Sequence, residues 1–176
     1  MKRLDIDFNI LGVIAGILMT TAMFFPWWSF KLSYTETTDL YPYLIDGPFS
    51  ELIGYRRSPQ MTILTGVFIA CIVLCLLGSV LKGRSARIML AVSGVIALLG
   101  AWRLLVRVSG VAARFGLPIQ GHGWGQYGGF AKVEVFTWLQ PGTYLMIAGG
   151  ILAILASLIV WRIPKQTAST EIITKT

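Results

Sequence analysis

The sequence predicts a mainly α protein, an integral membrane four-helix bundle carrying a small extracytoplasmic β-sheet formed by its two outer loops. Three observations carry that prediction. The 176 residues are 55% hydrophobic and only 13% charged, where soluble domains hold about 25% charged residues. The apolar residues gather into four runs, about 8–26, 61–81, 87–108 and 143–161, each near the roughly 20 residues a helix needs to cross a bilayer. The two loops between runs, 27–60 and 109–142, contain stretches with the pattern of strands. The chain reads as one four-span domain over residues 1–176, with a turn at 82–87 and a tail at 162–176.

The first run, Phe8–Phe25, follows the short polar start Met1–Asp7 and stops at Pro26. Basic residues ahead of an apolar stretch also fit a signal peptide; the expectation is a retained helix. Trp27-Trp28 at its exit read as an interfacial anchor, the place where aromatic rings collect at a membrane boundary. Gly12, Gly16 and Thr20 form a stripe of small residues, echoed by Thr62, Gly66 and Ala70 in the second run and Gly149, Ala153 and Ser157 in the fourth. Such stripes let helices approach closely. Packing within one bundle is the expectation, and dimerisation through one stripe is the alternative.

In the first loop, Trp28, Phe30, Leu32 and Tyr34 alternate with Ser29, Lys31, Ser33 and Thr35, the period of a half-buried strand. Tyr41-Pro42-Tyr43 and Asp46-Gly47-Pro48 are turn signals, and Phe49–Tyr55 reads as a short amphipathic segment. Arg56-Arg57 precede Pro59 and the second helix.

Met61–Leu81 holds no charged residue, and its Cys71 and Cys75 share one helix face. With one histidine in the chain, these cysteines are expected to be small packing residues rather than a soft-metal site. The third run begins at Arg87 and meets Arg103 and Arg107, four residues apart, with Arg114 continuing the stripe if the helix runs on. Arg87 to Arg103 already covers about 24 Å of helix. Arg103 therefore falls near the far interface, on a helix that projects beyond it, and its arginines are expected to snorkel or to pair with loop carboxylates. Leu117-Pro118 ends that helix. Gly121–Phe130 is expected to be a glycine-rich loop, and Val133–Trp138 one strand, making a small mixed sheet with Trp28–Thr35. Pro141-Gly142 opens the last helix.

Orientation rests on charge density. The turn packs Lys82, Arg84 and Arg87 into six positions, and short basic turns stay cytoplasmic while long loops translocate with less regard to charge. Both termini are then cytoplasmic, in the cell membrane. Glu36, Asp39, Asp46, Glu51 and Glu134 fall on the outer side with Arg56, Arg57, Arg103, Arg107 and Arg114.

The formal net charge of +7 does not indicate a nucleic-acid partner, because the basic residues lie mostly at helix ends and in loops; interfacial arginines beside anionic headgroups account for it. No catalytic residue, cofactor or metal is expected. His122 stands alone among glycines, and the Gly121–Gly129 stretch lacks the strand-to-helix context of a phosphate loop. The middles of the runs carry no Asp, Glu, Lys or Arg, unlike the path of an ion-coupled transporter. Expected partner- or lipid-binding residues are Arg103, Arg107 and Arg114, since guanidinium groups recognise phosphate and carboxylate, with Trp27, Trp28, Trp124 and Tyr127 as contact aromatics.

In layout the chain resembles the claudin-like tetraspans. Pro26-Trp27-Trp28-Ser29-Phe30 stands where that family has an aromatic residue after its first helix, and Val133–Trp138 where its second outer loop adds a strand. The resemblance implies cytoplasmic termini, a first outer loop opening with a strand and a third helix that outruns the bilayer. The family's Gly-Leu-Trp motif and paired loop cysteines have no counterpart here, so architecture alone is carried over. The expected role is a non-enzymatic structural or accessory subunit, a contact module whose outer loops meet lipids, another membrane protein or a second copy. The alternative is a small transporter or channel component.

Overall fold

The computed structural model describes residues 9–33, 36–52, 54, 56–114, 116–127 and 131–159. Among them the chain runs α1 (Ile10–Phe24), β1 (Trp28–Leu32), β2 (Thr38–Leu40), β3 (Ile45–Asp46), α2 (Pro48–Leu52), α3 (Pro59–Val80), α4 (Arg84–Arg114), β4 (Gly121–Tyr127), β5 (Ala131–Leu139) and α5 (Pro141–Ile159). The fold is mainly helical, four long helices and one short one with a small sheet. By length and composition α3, α4 and α5 suffice to cross a membrane; α1 is equally apolar but has 15 residues. Met1–Asp7 and the tail 162–176, which carry part of the charge argument for orientation, lie outside the described residues.

Local chemistry sets the helix ends. Asn9 caps α1, its side chain accepting from the Gly12 amide at 3.1 Å. Phe25 turns extended ahead of Pro26, as a residue before proline must. Ser58 caps α3 and Pro59 opens it, where a missing N–H costs nothing. α4 has 31 residues, about 46 Å of helix, longer than the expected 87–108 at both ends. It closes at Gly116, whose φ of +69° suits glycine, with Leu117 N donating to Ala112 O and Gly116 N to Ala113 O.

The four long helices form a ring in which α1 neighbours α3 and α5, and α4 neighbours the same two. Met19, Phe68, Leu90 and Met146, one from each helix, are fully buried and fill its centre. The α4–α5 seam is the tightest: a β-carbon on Gly94 would stand 2.6 Å from the Gly150 carbonyl oxygen. Cys71 and Cys75 are buried free thiols, as packing residues should be. Cys71 Sγ donates to the Ser93 carbonyl at 2.8 Å and Ser93 Oγ to the Cys71 carbonyl at 3.0 Å, linking α3 to α4. The small stripes of α1 and α5 serve this intrachain packing, with Gly12 against Ser79 and Gly149 against Met19, whereas an added methyl at Gly66 would meet nothing.

The sheet sits at the end of the bundle where α1 finishes and α3 and α5 begin. Its order is β3-β2-β1-β5-β4, antiparallel throughout rather than mixed. Over Gly121–Tyr127 the glycine-rich segment is not a loop but a strand, paired with β5 from Gly121↔Thr137 to Tyr127↔Ala131; residues 128–130 lie outside the described residues. Glycines leave no side-chain alternation to read, and pairing with the β-prone β5 supplies what intrinsic propensity does not. In β1, Ser29 is not on a solvent face. It is buried, donating to Asp39 Oδ1 and accepting from Gln140 Nε2 at 2.8 Å. With Trp28 buried beside it, both faces of β1 are covered at this end.

Gly94→Leu should therefore lower the unfolding midpoint in detergent, at a cost of about 1–3 kcal/mol as in other overpacked interiors. Gly66→Ala should leave the midpoint unchanged or raise it, with a stability gain of up to about 1 kcal/mol, the helical advantage of alanine over glycine. Thermal unfolding followed by circular dichroism checks the pair; equal losses would mean the two faces are packed alike.

Candidate interaction surface

The candidate surface is built on the part of α4 that outruns its neighbours. Leu98 lies against Gly150, and α5 runs antiparallel to α4, so Trp102 and Arg103 fall level with the first turn of α5. Gly142 in that turn packs on Trp27 and donates to the Pro26 carbonyl at 3.0 Å, which brings the end of α1 to the same level. Beyond it α4 continues from Arg103 to Arg114, about 16 Å. Leu104, Val108 and Ala112 are the buried side of this extension. Arg103, Arg107 and Arg114 are its exposed side, held on one face by their spacing.

Among the described residues none of these three arginines forms an ion pair. The expected alternative, pairing with loop carboxylates, does not occur there; Asp39 is engaged by Ser29 instead. Among the described residues the three guanidinium groups meet no carboxylate and are exposed.

The expected contact aromatics divide. Trp124 is 61% exposed on β4, an edge strand. Tyr127 pairs through its backbone with Ala131, and its side chain lies outside the described residues. Trp27 and Trp28 require a correction, since neither is a surface anchor. Trp27 is fully buried, its Nε1 donating to the Ala22 carbonyl at 2.8 Å and its ring 5.0 Å from Phe68. Trp28 is buried as well, its Nε1 donating to the Ile119 carbonyl at 2.9 Å. The sheet folds back over the end of the bundle and takes both rings into the core, an outcome that depends on contacts distant in sequence.

Exposed aromatics occur elsewhere at this level. Phe24 is 72% exposed, and Trp102 and Tyr144 are exposed on α4 and α5. Sequence reasoning passed over all three as members of apolar runs. Their signal was position, since each lies within three residues of the proline or arginine that bounds its run.

No reactive constellation accompanies these residues. Among the described residues no three of His, Cys, Asp and Glu converge as metal ligands. His122 is exposed beside Phe136, ring centroids 6.3 Å apart. In the segment between β2 and β3, burial above all, with Asp39, Tyr43 and Asp46 adding, raises the Tyr41 hydroxyl above its ordinary value. It stays a neutral donor at neutral pH. No protein-family model matches the chain, and no curated protein matches it.

Burial separates the stability roles of these residues. Arg103→Ala, Arg107→Ala and Arg114→Ala should each shift the unfolding free energy by less than about 0.5 kcal/mol, as exposed changes do. Trp27→Ala should cost about 3–5 kcal/mol. Chemical denaturation in detergent measures both, and a large loss at any one arginine would reveal a structural ion pair.

Proposed function

We propose that this chain is a non-enzymatic integral membrane protein of claudin-like layout, an accessory subunit or contact module in the cell membrane with both termini on the cytoplasmic side. Its projecting α4 and outer sheet meet a neighbouring membrane protein or a second copy. The observation that carries this reading is the change of surface along α4. Ile88, Val92, Val95 and Leu99 are exposed and apolar on one side of the helix, and Arg103, Arg107 and Arg114 follow on the extension.

Water-soluble proteins rarely leave apolar faces of this length open, whereas lipid accepts them. The exposed Phe24, Trp102 and Tyr144 stand at the changeover, where a membrane concentrates aromatic rings. On this reading α4 carries its arginines beyond the headgroups, within reach of carboxylates or phosphates on a partner. The filled centre at Met19, Phe68, Leu90 and Met146 favours a contact module over a small transporter or channel component.

Two measurements test the proposal. Photo-crosslinkers placed at Arg107 and at Trp124 in cell membranes should yield discrete protein adducts, reduced at least several-fold by Arg103→Glu with Arg114→Glu. Reconstituted vesicles should carry no flux; flux abolished by Arg103→Ala would replace the contact module by a conducting one. For orientation, a thiol reagent outside sealed cells should label Glu36→Cys and spare Ser85→Cys, both exposed positions. The reverse pattern would invert the topology.

A further inference from the structure

The ring of helices is not closed evenly. At the sheet end α1 and α3 part to leave a groove of about 370 Å³, lined by Thr20, Met23 and Phe24 on one side and by Thr65, Ile69 and Val73 on the other. Its volume lies within the range of small-ligand sites, roughly 300–1,000 Å³. Both threonines turn their hydroxyls away. Thr20 Oγ1 donates to the Gly16 carbonyl at 2.7 Å, and Thr65 Oγ1 reaches the carbonyls of Met61 at 2.7 Å and Pro42 at 3.1 Å. The walls of the groove are apolar.

The groove has a polar mouth. Tyr43 closes it toward the sheet, in a turn fixed to α3 by the bond from Thr65 to Pro42. That turn also holds the segment ahead of α3, since Ile45 N donates to the Arg56 carbonyl at 2.9 Å. Arg56 and Arg57 are exposed there, just before the Ser58 cap, and neither forms an ion pair among the described residues.

We infer that the groove between α1 and α3 seats an acyl chain of an anionic phospholipid whose phosphate is held by Arg56 and Arg57. The inference rests on the reading that α3 crosses a membrane. An oily slot beneath two exposed cations has the polarity of one such lipid: chain below, negative headgroup above. A transmembrane helix fits less well. Such a helix needs about 30 Å of wall to lie along, and the α3 wall from Thr65 to Val73 runs only about 12 Å before the groove ends.

Native mass spectrometry of the full chain in detergent, with palmitoyl-oleoyl phosphatidylglycerol or phosphatidylcholine added, tests this. The wild-type chain should retain the phosphatidylglycerol at least tenfold in preference. Arg56→Ala with Arg57→Ala should erase the preference, each basic residue near an anionic headgroup contributing about fivefold. Ile69→Trp, at a position 54% exposed and so able to accept a larger ring, should fill the groove and lose both lipids. Leu99→Trp on the exposed side of α4 should change nothing. Equal retention of the two lipids, or undiminished retention by Ile69→Trp, would overturn the inference. So would disulfide dimers of Ile69→Cys, which would make the occupant a second copy. Alkaline washing of cell membranes separates the two levels of the argument. A chain that washes off fails the membrane reading, and one that stays but shows no preference fails the lipid site alone.

Discussion

Trp27 is the joint on which the architecture turns. Its ring is fully buried against Phe68 of α3, and its Nε1 returns to Ala22 in the last turn of α1. Its amide donates to the Leu40 carbonyl at 2.8 Å, which ties the end of α1 to β2. Its carbonyl accepts twice, from the Gln140 amide at 3.1 Å and the Thr143 hydroxyl at 2.7 Å, which ties it to the start of α5. One residue thus satisfies every polar group it buries while touching three helices and the sheet. A buried polar group left unpaired costs far more than a made bond returns, so these four partners constrain one another's positions. The β1–β5 register, starting at Trp28↔Leu139, follows directly from that joint.

From there the constraint passes outward to α4. Trp28 donates to the Ile119 carbonyl and Thr137 Oγ1 to the Pro118 carbonyl at 2.9 Å, so β1 and β5 both grip the chain just after α4 ends. Val108 and Ala112 are buried on the extension itself. The projecting turns are therefore braced at both ends, and the arginines and the edge strand β4 hold a fixed relation. A surface organised in this way needs little ordering to meet a partner, which lowers the entropic cost of association.

Much of this was legible in the residues and some was not. The helices were, because runs such as Met61–Leu81 carry no charge and prolines at 26, 59 and 141 mark their limits. The extension of α4 was legible through the arginine spacing alone. β4 was not, since Gly121, Gly123 and Gly125 present no alternating face and the pairing partner lies in the following strand. The fate of Trp27 was hidden for a different reason. A tryptophan after an apolar helix has the same local sequence whether it meets an interface or a core, and only the return of residues 137–143 decides between them.

The seams between helices differ in kind, and the difference locates the opening. α4 and α5 meet backbone to backbone at Gly94 and Gly150, and α3 is tied to α4 by the reciprocal Cys71–Ser93 bonds. At the sheet end α1 and α3 face one another with Met23, Phe24, Ile69 and Val73, side chains too large to let the backbones close. Nearer the turn, small residues return: Gly12 lies against Ser79, and the Cys75 thiol points to the Gly12 carbonyl at 3.5 Å. The pair is thus clamped at one end and splayed at the other. How near two helices come is decided by the side chains packed between them. Large side chains at one end of a seam therefore act as spacers, and the cleft beneath Tyr43 follows from residue size rather than from any defect in the bundle.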